Sequence, residues 1–171
     1  MILIDSDIEH LCQQHEMVSP YVPELLNPAS LDVRLGADLL VDVPHSKVME
    51  PLSIAATSEA CPYLLYPGAF ILAHTIEQFS IPEDICARFM LKSSRAREGL
   101  EHLLAGFADP GFHGSSMTLE LTNARKYHPI PLWYGMRVGQ MVFEMLSGKP
   151  RYSYAKTGRY NNTPSVTPSK G

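Results

Sequence analysis

The chain has 171 residues, of which 45% are hydrophobic and 19% are charged, so it can bury one sizeable core but is too short for two ordinary domains. Its formal net charge of -4 argues against a nucleic-acid partner held by bulk electrostatics, although a single anionic nucleotide can still bind a local basic cluster. We find no apolar stretch of the roughly 20 residues that span a bilayer and no signal peptide, so we expect a cytoplasmic protein.

The first predicted element is a short amphipathic helix near residues 5–12. Ser6 and Glu9 have the spacing of a capping box, which satisfies the free amides at the start of a helix. The apolar residues recur at helical spacing and share one face: Ile4, Ile8, Leu11 and Cys12. We therefore expect this face to pack on the rest of the chain.

The remainder of the chain is predicted to be mainly β. The 14 prolines and 11 glycines divide it into short runs of strand formers separated by turn signals. The predicted strands cover residues 31–35, 69–73, 85–91, 116–122 and 136–143. Residues 109–114 are predicted to form a turn, because Asp, Pro and Gly each favour tight backbone geometry. A brief helix is predicted over residues 93–100, which begin with two serines and end near Gly99. These strands are expected to pack as a sandwich or distorted barrel.

The segment 147–171 differs from the rest of the chain because it is polar and has little core of its own. We therefore predict one β-rich domain over residues 1–146, followed by a polar tail. Such a tail is either frayed or acquires order only through contacts made elsewhere.

Glu120 is the first candidate for chemistry. In the predicted strand 116–122 polar and apolar residues alternate, so Glu120 shares the face opposite the core with Thr118 and Thr122. A solvated glutamate on an exposed strand face is the alternative interpretation. The strand alone does not decide between the two.

A second candidate is the basic cluster at the start of the predicted internal helix. Ser93, Ser94, Arg95 and Arg97 place two hydroxyls and two guanidinium groups within five residues, which suits phosphate oxygens. Lys92 adds a further positive charge. The alternative is a capped surface helix with solvated charges.

Zinc motifs are absent from the sequence. No histidine falls in an HExxH pattern, no CxxC pair is present, and the three cysteines are widely separated. This excludes the familiar zinc deaminases and gives no disulfide framework, so the cysteines are expected to be free thiols.

Three consecutive segments, residues 92–97, 105–112 and 118–121, resemble in order and spacing the successive motifs of the dCTP deaminases. Residues 31–36 and 135–140 resemble an early strand and a later turn and strand of that family, and the tail resembles its closing segment. The resemblance implies a distorted β-barrel or jelly-roll-like fold of the dUTPase type. It also implies a homotrimer with active sites between subunits.

The resemblance assigns catalytic roles to three residues. Glu120 would be the general base and acid that takes a proton from water and passes it towards the departing ammonia. Ser93 would orient the attacking water or the pyrimidine, and the backbone of Ala105 would lie against the reacting ring edge. Without zinc, a glutamate on a strand is a suitable activator of the water that attacks C4 of cytosine.

The resemblance also assigns residues to nucleotide binding, with Arg97 suited to hold phosphate oxygens through its planar guanidinium group. Arg159, Tyr160 and Lys170 would belong to a tail that closes over the nucleotide as a lid. The full set of substrate-binding candidates is Lys92, Ser94, Arg97, Asp109, Gln140, Tyr154, Arg159, Tyr160 and Lys170. Mg²⁺ is expected to arrive with the triphosphate, and we assign it no protein ligands.

Three features depart from the deaminase pattern. Lys92 stands where arginine is usual, Thr163 stands where the tail often has glutamine, and Ser115 with Ser116 lengthens the connection before Glu120. Residues 105–107 and 137–140 look closer to the bifunctional members, which deaminate dCTP and also release diphosphate from dUTP.

The expected main activity is deamination of dCTP to dUTP and ammonia. The alternatives are the coupled reaction that forms dUMP and diphosphate, dUTP diphosphatase activity alone, and a nucleotide-sensing or protein-binding module with weak turnover.

Overall fold

The protein is described here by a computed structural model of all its residues, Met1–Gly171, and it is mainly β, as predicted. The strands are β1 (Val18–Ser19), β2 (Leu26–Asn27), β3 (Ser30–Arg34), β4 (Asp38–Val41), β5 (Glu50–Ser53), β6 (Tyr63–Leu65), β7 (Phe70–Ser80), β8 (Ile85–Leu91), β9 (Leu100–His102), β10 (Phe107–Ala108), β11 (His113–Asn123), β12 (Ile130–Leu132) and β13 (Arg137–Met145). The helices are α1 (Asp5–His15), α2 (Ser93–Arg97) and α3 (Tyr154–Thr157), with a 3₁₀ turn at Pro23–Leu25.

Two larger sheets and one small sheet make up the structure. The first sheet has the order β5-β4-β7-β11-β9, with β1 also paired to β7. The second has the order β10-β8-β13-β3-β2, and β12 pairs with β6 separately. All of these pairings are antiparallel, which leaves one face of each sheet free for polar residues.

The core draws on both larger sheets and follows the alternation of their strands. Val33 on β3, Phe143 on β13 and Leu119 on β11 are all completely buried and belong to one hydrophobic cluster. Burying a side chain of this size contributes about 1.5–3 kcal/mol relative to leaving it in water. The polar residues between them point away from the core, which places Glu120 on an outer face.

Helix α1 confirms the predicted amphipathic helix, but the predicted capping box is wrong. The helix begins at Asp5, so Ser6 lies inside the first turn. The carboxylate of Asp7 instead accepts a hydrogen bond from the Ile4 N–H at 3.4 Å. Ile4 is 52% exposed because it precedes the helix, whereas Ile8 and Cys12 are buried.

The other two helices differ from the sequence prediction in extent and number. Helix α2 ends at Arg97, earlier than the predicted helix over 93–100, because Gly99 has a positive φ of 94° and β9 begins at Leu100. Helix α3 was not predicted. Its N-cap is Ser153, whose hydroxyl accepts a hydrogen bond from the Ala155 N–H at 3.2 Å.

The connection between β10 and β11 crosses from one sheet to the other. β10 pairs with β8 in the second sheet, and β11 pairs with β7 in the first. The turn between them is closed by the Phe112 N–H donating to the Asp109 carbonyl at 3.0 Å. The predicted turn over residues 109–114 therefore lies at the junction of the two sheets.

Candidate active site

A cavity of about 930 Å³ opens where β4, β7, the β10–β11 connection and the C-terminal tail meet. Five of the residues that sequence analysis singled out as site residues line it: Ala105, Asp109, Glu120, Tyr154 and Tyr160. Most of the remaining wall is apolar, as is common for pockets that bind small molecules. These five residues are thus brought together by the fold although they span 56 positions of sequence.

Glu120 reaches this cavity from the middle of β11. Leu119 and Leu121 on either side are fully buried, and the backbone of Glu120 pairs with Leu72 on β7. The predicted alternation of this strand is therefore confirmed. A carboxylate held by a central strand keeps a fixed position, which suits a group that must meet a reacting atom at a defined distance.

A buried histidine lies beside this carboxylate. His102 Nε2 is 3.3 Å from Glu120 Oε2, and the two side chains are 4% and 25% exposed. Both atoms are shielded from solvent, and neither makes a hydrogen bond within the chain, so the two are close but not aligned as donor and acceptor. The His102 ring also packs on Phe89, with the ring centroids 4.7 Å apart. Sequence analysis missed His102, and only its place directly before the matched segment 105–112 could have suggested it.

β11, which follows the turn that carries Asp109, also supplies Ser116. Two irregularities interrupt the pairing of β11 with β7, between His113 and Ser115 and between Ser116 and Thr118. Such bulges place an extra residue in one strand without ending the ladder, and the pairing resumes before Glu120. Ser116 is 3% exposed, lines the cavity, and its hydroxyl has no hydrogen-bonding partner.

The C-terminal tail is ordered against β11 and forms one wall of the cavity. Ser115 Oγ accepts from the Thr163 N–H at 3.0 Å and donates to the Tyr160 carbonyl oxygen at 2.7 Å. Farther along, the Thr167 N–H donates to Thr118 Oγ1 at 3.4 Å. Tyr160 and Thr163 both face the cavity. The tail thus obtains its order from contacts with β11, since it has little core of its own.

The basic cluster lies outside the cavity. Ser93, Ser94 and Arg97 are exposed, and none of them lines the cavity wall. Lys92 is turned the other way, with its Nζ 2.6 Å from Oδ2 of the buried Asp32. Of the three residues predicted to be catalytic, Ala105 and Glu120 therefore line the cavity, whereas Ser93 of the same chain does not.

Three other predicted substrate-binding residues also lie outside the cavity wall. Gln140 is on β13 in the second sheet, where its Oε1 accepts from the Ser30 hydroxyl at 2.8 Å. The Lys170 ammonium group donates to the Arg159 carbonyl at 2.7 Å and lies 5.1 Å from the centroid of the Tyr160 ring. Arg159 and Lys170 are exposed at the end of the tail.

The charge of the cavity wall is negative. Its only charged residues are Asp109 and Glu120, and it contains no lysine or arginine. No group of three or more His, Cys, Asp or Glu side chains is placed to hold a metal ion. None of the helices is long and apolar enough to cross a lipid bilayer.

Comparison with known proteins gives the family. Residues 2–146 match the family model described as dCTP deaminase-like. The chain belongs to the dCTP deaminase-like family. The match covers β1 to β13 and therefore includes Ser93, Ala105 and Glu120.

Curated relatives resemble this chain over nearly its whole length. A protein of Corynebacterium efficiens is 36% identical over 184 residues, covering 100% of this chain and 94% of the relative. One from Kocuria rhizophila is 39% identical, covering 95% and 88%, and one from Methanoculleus marisnigri is 36% identical, covering 99% and 95%. All three are named dCTP deaminase, dUMP-forming. These names contradict the expected deaminase that stops at dUTP and agree with the coupled reaction.

Two solved structures support the fold. The dCTP deaminase of Agrobacterium tumefaciens aligns with a TM-score of 0.69 at 21% identity, covering 84% of this chain and 47% of that chain. Native EIAV dUTPase aligns with a TM-score of 0.51 at 17% identity, covering 84% and 94%. The predicted dUTPase-type, jelly-roll-like fold is therefore confirmed, although the two larger sheets do not close into a complete barrel.

Proposed function

We propose that this enzyme deaminates dCTP and also removes diphosphate, so that dUMP, ammonia and diphosphate are the products. The observation that carries the proposal is the position of Glu120, a carboxylate presented by a central strand to an otherwise mostly apolar cavity. The names of relatives that match nearly the whole chain support the coupled reaction over dUTP diphosphatase activity alone and over nucleotide sensing.

In the deamination step, Glu120 acts as general base and then as general acid. It takes a proton from a water molecule as the water oxygen bonds to C4 of cytosine. It then passes that proton to the amino nitrogen as the C4–N bond breaks and ammonia leaves. The proton of the C4 hydroxyl group is transferred to N3, so that the C4 carbonyl and the N3–H of uracil form. Ala105, in the same cavity wall, lies against the ring edge, and its small side chain leaves room for the attacking water.

In the second step, water attacks the α-phosphorus and diphosphate leaves. An acidic residue must orient this water, and the cavity has two, Asp109 and Glu120. Glu120 is assigned to the base, so Asp109 is the candidate for this step. Its place in the turn between the two sheets puts it at the mouth of the cavity, where it is exposed.

The triphosphate needs positive charge that the cavity wall of one chain does not supply. The basic cluster of Lys92, Ser94 and Arg97, together with Ser93, is exposed elsewhere on the surface. In a homotrimer, this cluster would border the cavity of a neighbouring subunit. Each site would then contain Glu120 from one chain and the basic cluster from another. Leu103, Leu104 and Phe107, which are 55%, 92% and 53% exposed, provide an apolar surface beside the cavity for such a contact.

Arg159, Tyr160 and Lys170 complete the site as a lid when nucleotide is bound. Tyr154 contacts the nucleotide from α3. Gln140 lies outside this cavity, so its predicted contact with nucleotide would be to a molecule bound in the site of a neighbouring subunit. Mg²⁺ would accompany the triphosphate and neutralise its oxygens. Since the chain has no cluster of metal-binding side chains, the phosphate groups and water supply most of its ligands.

A product analysis tests the proposal. Purified protein is incubated with dCTP and MgCl₂, and dUTP, dUMP, diphosphate and ammonia are quantified over time, beside the variant Glu120→Gln. We expect equal amounts of ammonia and diphosphate with no lag and no accumulation of dUTP. Glu120→Gln removes the base but keeps the size of the side chain, so it is expected to lower ammonia release at least 1000-fold.

The remaining outcomes separate the possible activities. If the protein releases diphosphate from added dUTP but does not react with dCTP, it is a dUTP diphosphatase. If dCTP and dUTP both bind but neither gives a product, the protein is a nucleotide sensor. Full activity in Glu120→Gln would remove the assignment of the base. Measuring molar mass by light scattering, with Leu104→Asp as the variant that disrupts the apolar surface, tests the trimer.

A further inference from the structure

The environment of Glu120 points to a second residue in the deamination step. One carboxylate oxygen, Oε2, is buried and faces His102 Nε2 at 3.3 Å. A buried carboxylate oxygen without a hydrogen-bond donor costs about 1–3 kcal/mol or more. His102 Nε2 is itself buried without a partner and lies within reach of this oxygen, so a donor and an acceptor that both lack a hydrogen bond face each other.

The packing of His102 fixes the direction of its ring. Phe89 lies against one side of it, and Gly106 lies so close that an added Cβ there would be 3.2 Å from His102 Cε1 and 2.6 Å from Phe89 Cβ. The imidazole is therefore confined between Phe89 and residue 106 with Nε2 facing the carboxylate. A general base that is oriented by a third group is a recurrent arrangement in enzymes.

We propose that His102 is the positioning residue for Glu120. When nucleotide and water occupy the cavity, its Nε2–H donates to Oε2, and the other carboxylate oxygen stays free to meet the water. This inference rests on the proposed deamination by Glu120. It assigns no proton transfer to His102, which only fixes the rotation of the carboxylate. A small rotation would displace the base from the water, and such displacements cost up to about 100-fold in rate.

Two substitutions separate positioning from packing. His102→Phe keeps an aromatic ring against Phe89 but removes the donor, and His102→Gln provides an N–H near the same place. We expect His102→Phe to lower kcat for ammonia release about 30-fold or more with KM changed less than threefold. His102→Gln should recover most of that loss. Thermal unfolding of both variants identifies any that fail to fold.

The proposal is overturned if folded His102→Phe keeps the kcat of the original protein, or if His102→Gln is as slow as His102→Phe. If His102→Phe does not fold, the kcat of His102→Gln decides, since a loss beyond tenfold contradicts the proposal. If the original protein releases no ammonia from dCTP, the proposed function itself is refuted. If it releases ammonia normally and the His102 variants do so at the same rate, only the role of His102 is refuted.

Ser116 carries a second, independent inference. Its hydroxyl is buried in the cavity wall without a partner, and an unpaired buried hydroxyl is a cost to folding. Such a group is explained when a ligand supplies the missing hydrogen bond. Ser116 precedes Glu120 by four residues, or about 13 Å of fully extended strand and less across the bulge. That separation exceeds the width of a pyrimidine ring, so Ser116 lies beside the sugar when the base is at Glu120.

We infer that Ser116 is a specificity-determining residue that hydrogen-bonds the 3′-hydroxyl of the deoxyribose. This also rests on the proposed function, because it takes the cytosine C4 to be at Glu120. Calorimetric binding of dCTP and of 2′,3′-dideoxycytidine triphosphate tests it, in a Glu120→Gln background that prevents turnover. Each nucleotide is measured with and without the additional change Ser116→Ala.

We expect Ser116→Ala to weaken dCTP binding about tenfold and dideoxycytidine triphosphate binding less than twofold, because one hydrogen bond accounts for the difference. Equal losses for both nucleotides, or no loss for dCTP, would refute the role. If neither nucleotide binds the Ser116-containing protein, the proposed function fails instead. Ser116→Ala should fold normally, since the hydroxyl that it removes makes no bond within the chain.

Discussion

Lys92 Nζ lies 2.6 Å from Oδ2 of Asp32, a carboxylate that is only 2% exposed. Asn27 donates to the other oxygen of the same carboxylate at 3.0 Å, and an Arg137 nitrogen is 3.8 Å away. By the resemblance described above, Lys92 is expected to stand where dCTP deaminases usually have arginine. In this structure the Lys92 ammonium group balances the negative charge of the buried Asp32 on β3. Lys92 therefore stabilises the second sheet just before α2.

Loss of the Lys92 charge is therefore expected to destabilise the protein. In Lys92→Met the buried Asp32 carboxylate loses its nearest positive charge. We expect the free energy of unfolding to fall by about 1–3 kcal/mol. This loss is smaller than for a fully buried ion pair, because Lys92 is partly exposed. Urea unfolding of Lys92→Met, Asp32→Asn and the double variant measures the coupling. If the losses of unfolding free energy in the two single variants simply add in the double variant, Lys92 and Asp32 do not stabilise each other and the prediction is wrong.

Gly36 is expected to tolerate no side chain. An added Cβ would lie 2.4 Å from Cε1 and Nε2 of His74, a buried ring whose Nδ1 is 2.9 Å from the Thr75 carbonyl oxygen. Gly36→Ala must displace that ring and should lower the free energy of unfolding by about 1–3 kcal/mol. Gly148→Ala is the matched control because its added Cβ meets nothing within 4 Å. Equal stability of the two variants would show that the ring moves freely.

His74 should make stability depend on pH. Burial lowers the pKa of His74 below its ordinary value of 6.5, although the Thr75 carbonyl partly opposes the shift. As the pH falls below 6.5, the unfolded chain binds a proton at this residue before the folded chain does, so stability declines towards acid. His74→Gln removes this contribution. Its free energy of unfolding should fall less between pH 7.5 and pH 5.5 than that of the original protein, and parallel curves would exclude His74 as the cause.

The tail should loosen when Ser115 loses its hydroxyl. Ser115 Oγ donates to the Tyr160 carbonyl and accepts from the Thr163 N–H, so Ser115→Ala leaves these tail groups without a partner on β11. We expect faster hydrogen exchange in residues 160–167 and a KM for dCTP raised several-fold, because part of the binding energy must then order the tail. Ser58→Ala, which removes only the hydrogen bond from the Cys61 N–H in an exposed turn away from the cavity, is the control. Unchanged exchange in the tail would show that other contacts hold it.

The sequence predicted the local features of this fold and site well where they depend on neighbouring residues. Alternation placed Leu119 and Leu121 in the core and Glu120 on the opposite face, because side chains of a strand point to opposite sides in turn. Proline and glycine signals placed the turn at residues 109–114. The capping box at Ser6 was wrong because the helix begins two residues earlier than a Ser6 cap requires, directly after Ile4, and Asp7 accepts from the Ile4 N–H instead.

Only the tertiary structure decided which distant residues meet. His102 and Glu120 are 18 positions apart, and nothing in their spacing indicates that Nε2 and Oε2 approach to 3.3 Å. Ser115 fixes a tail 45 or more residues away, and Lys92 turns to Asp32 rather than to the cavity. The sequence by itself determined the mainly β class, the strand that carries Glu120 and the resemblance to the dCTP deaminases, since local periodicity and motif order encode them. The pairing of side chains across the two sheets depends on packing between segments far apart in the chain, and that was decided only when the chain folded.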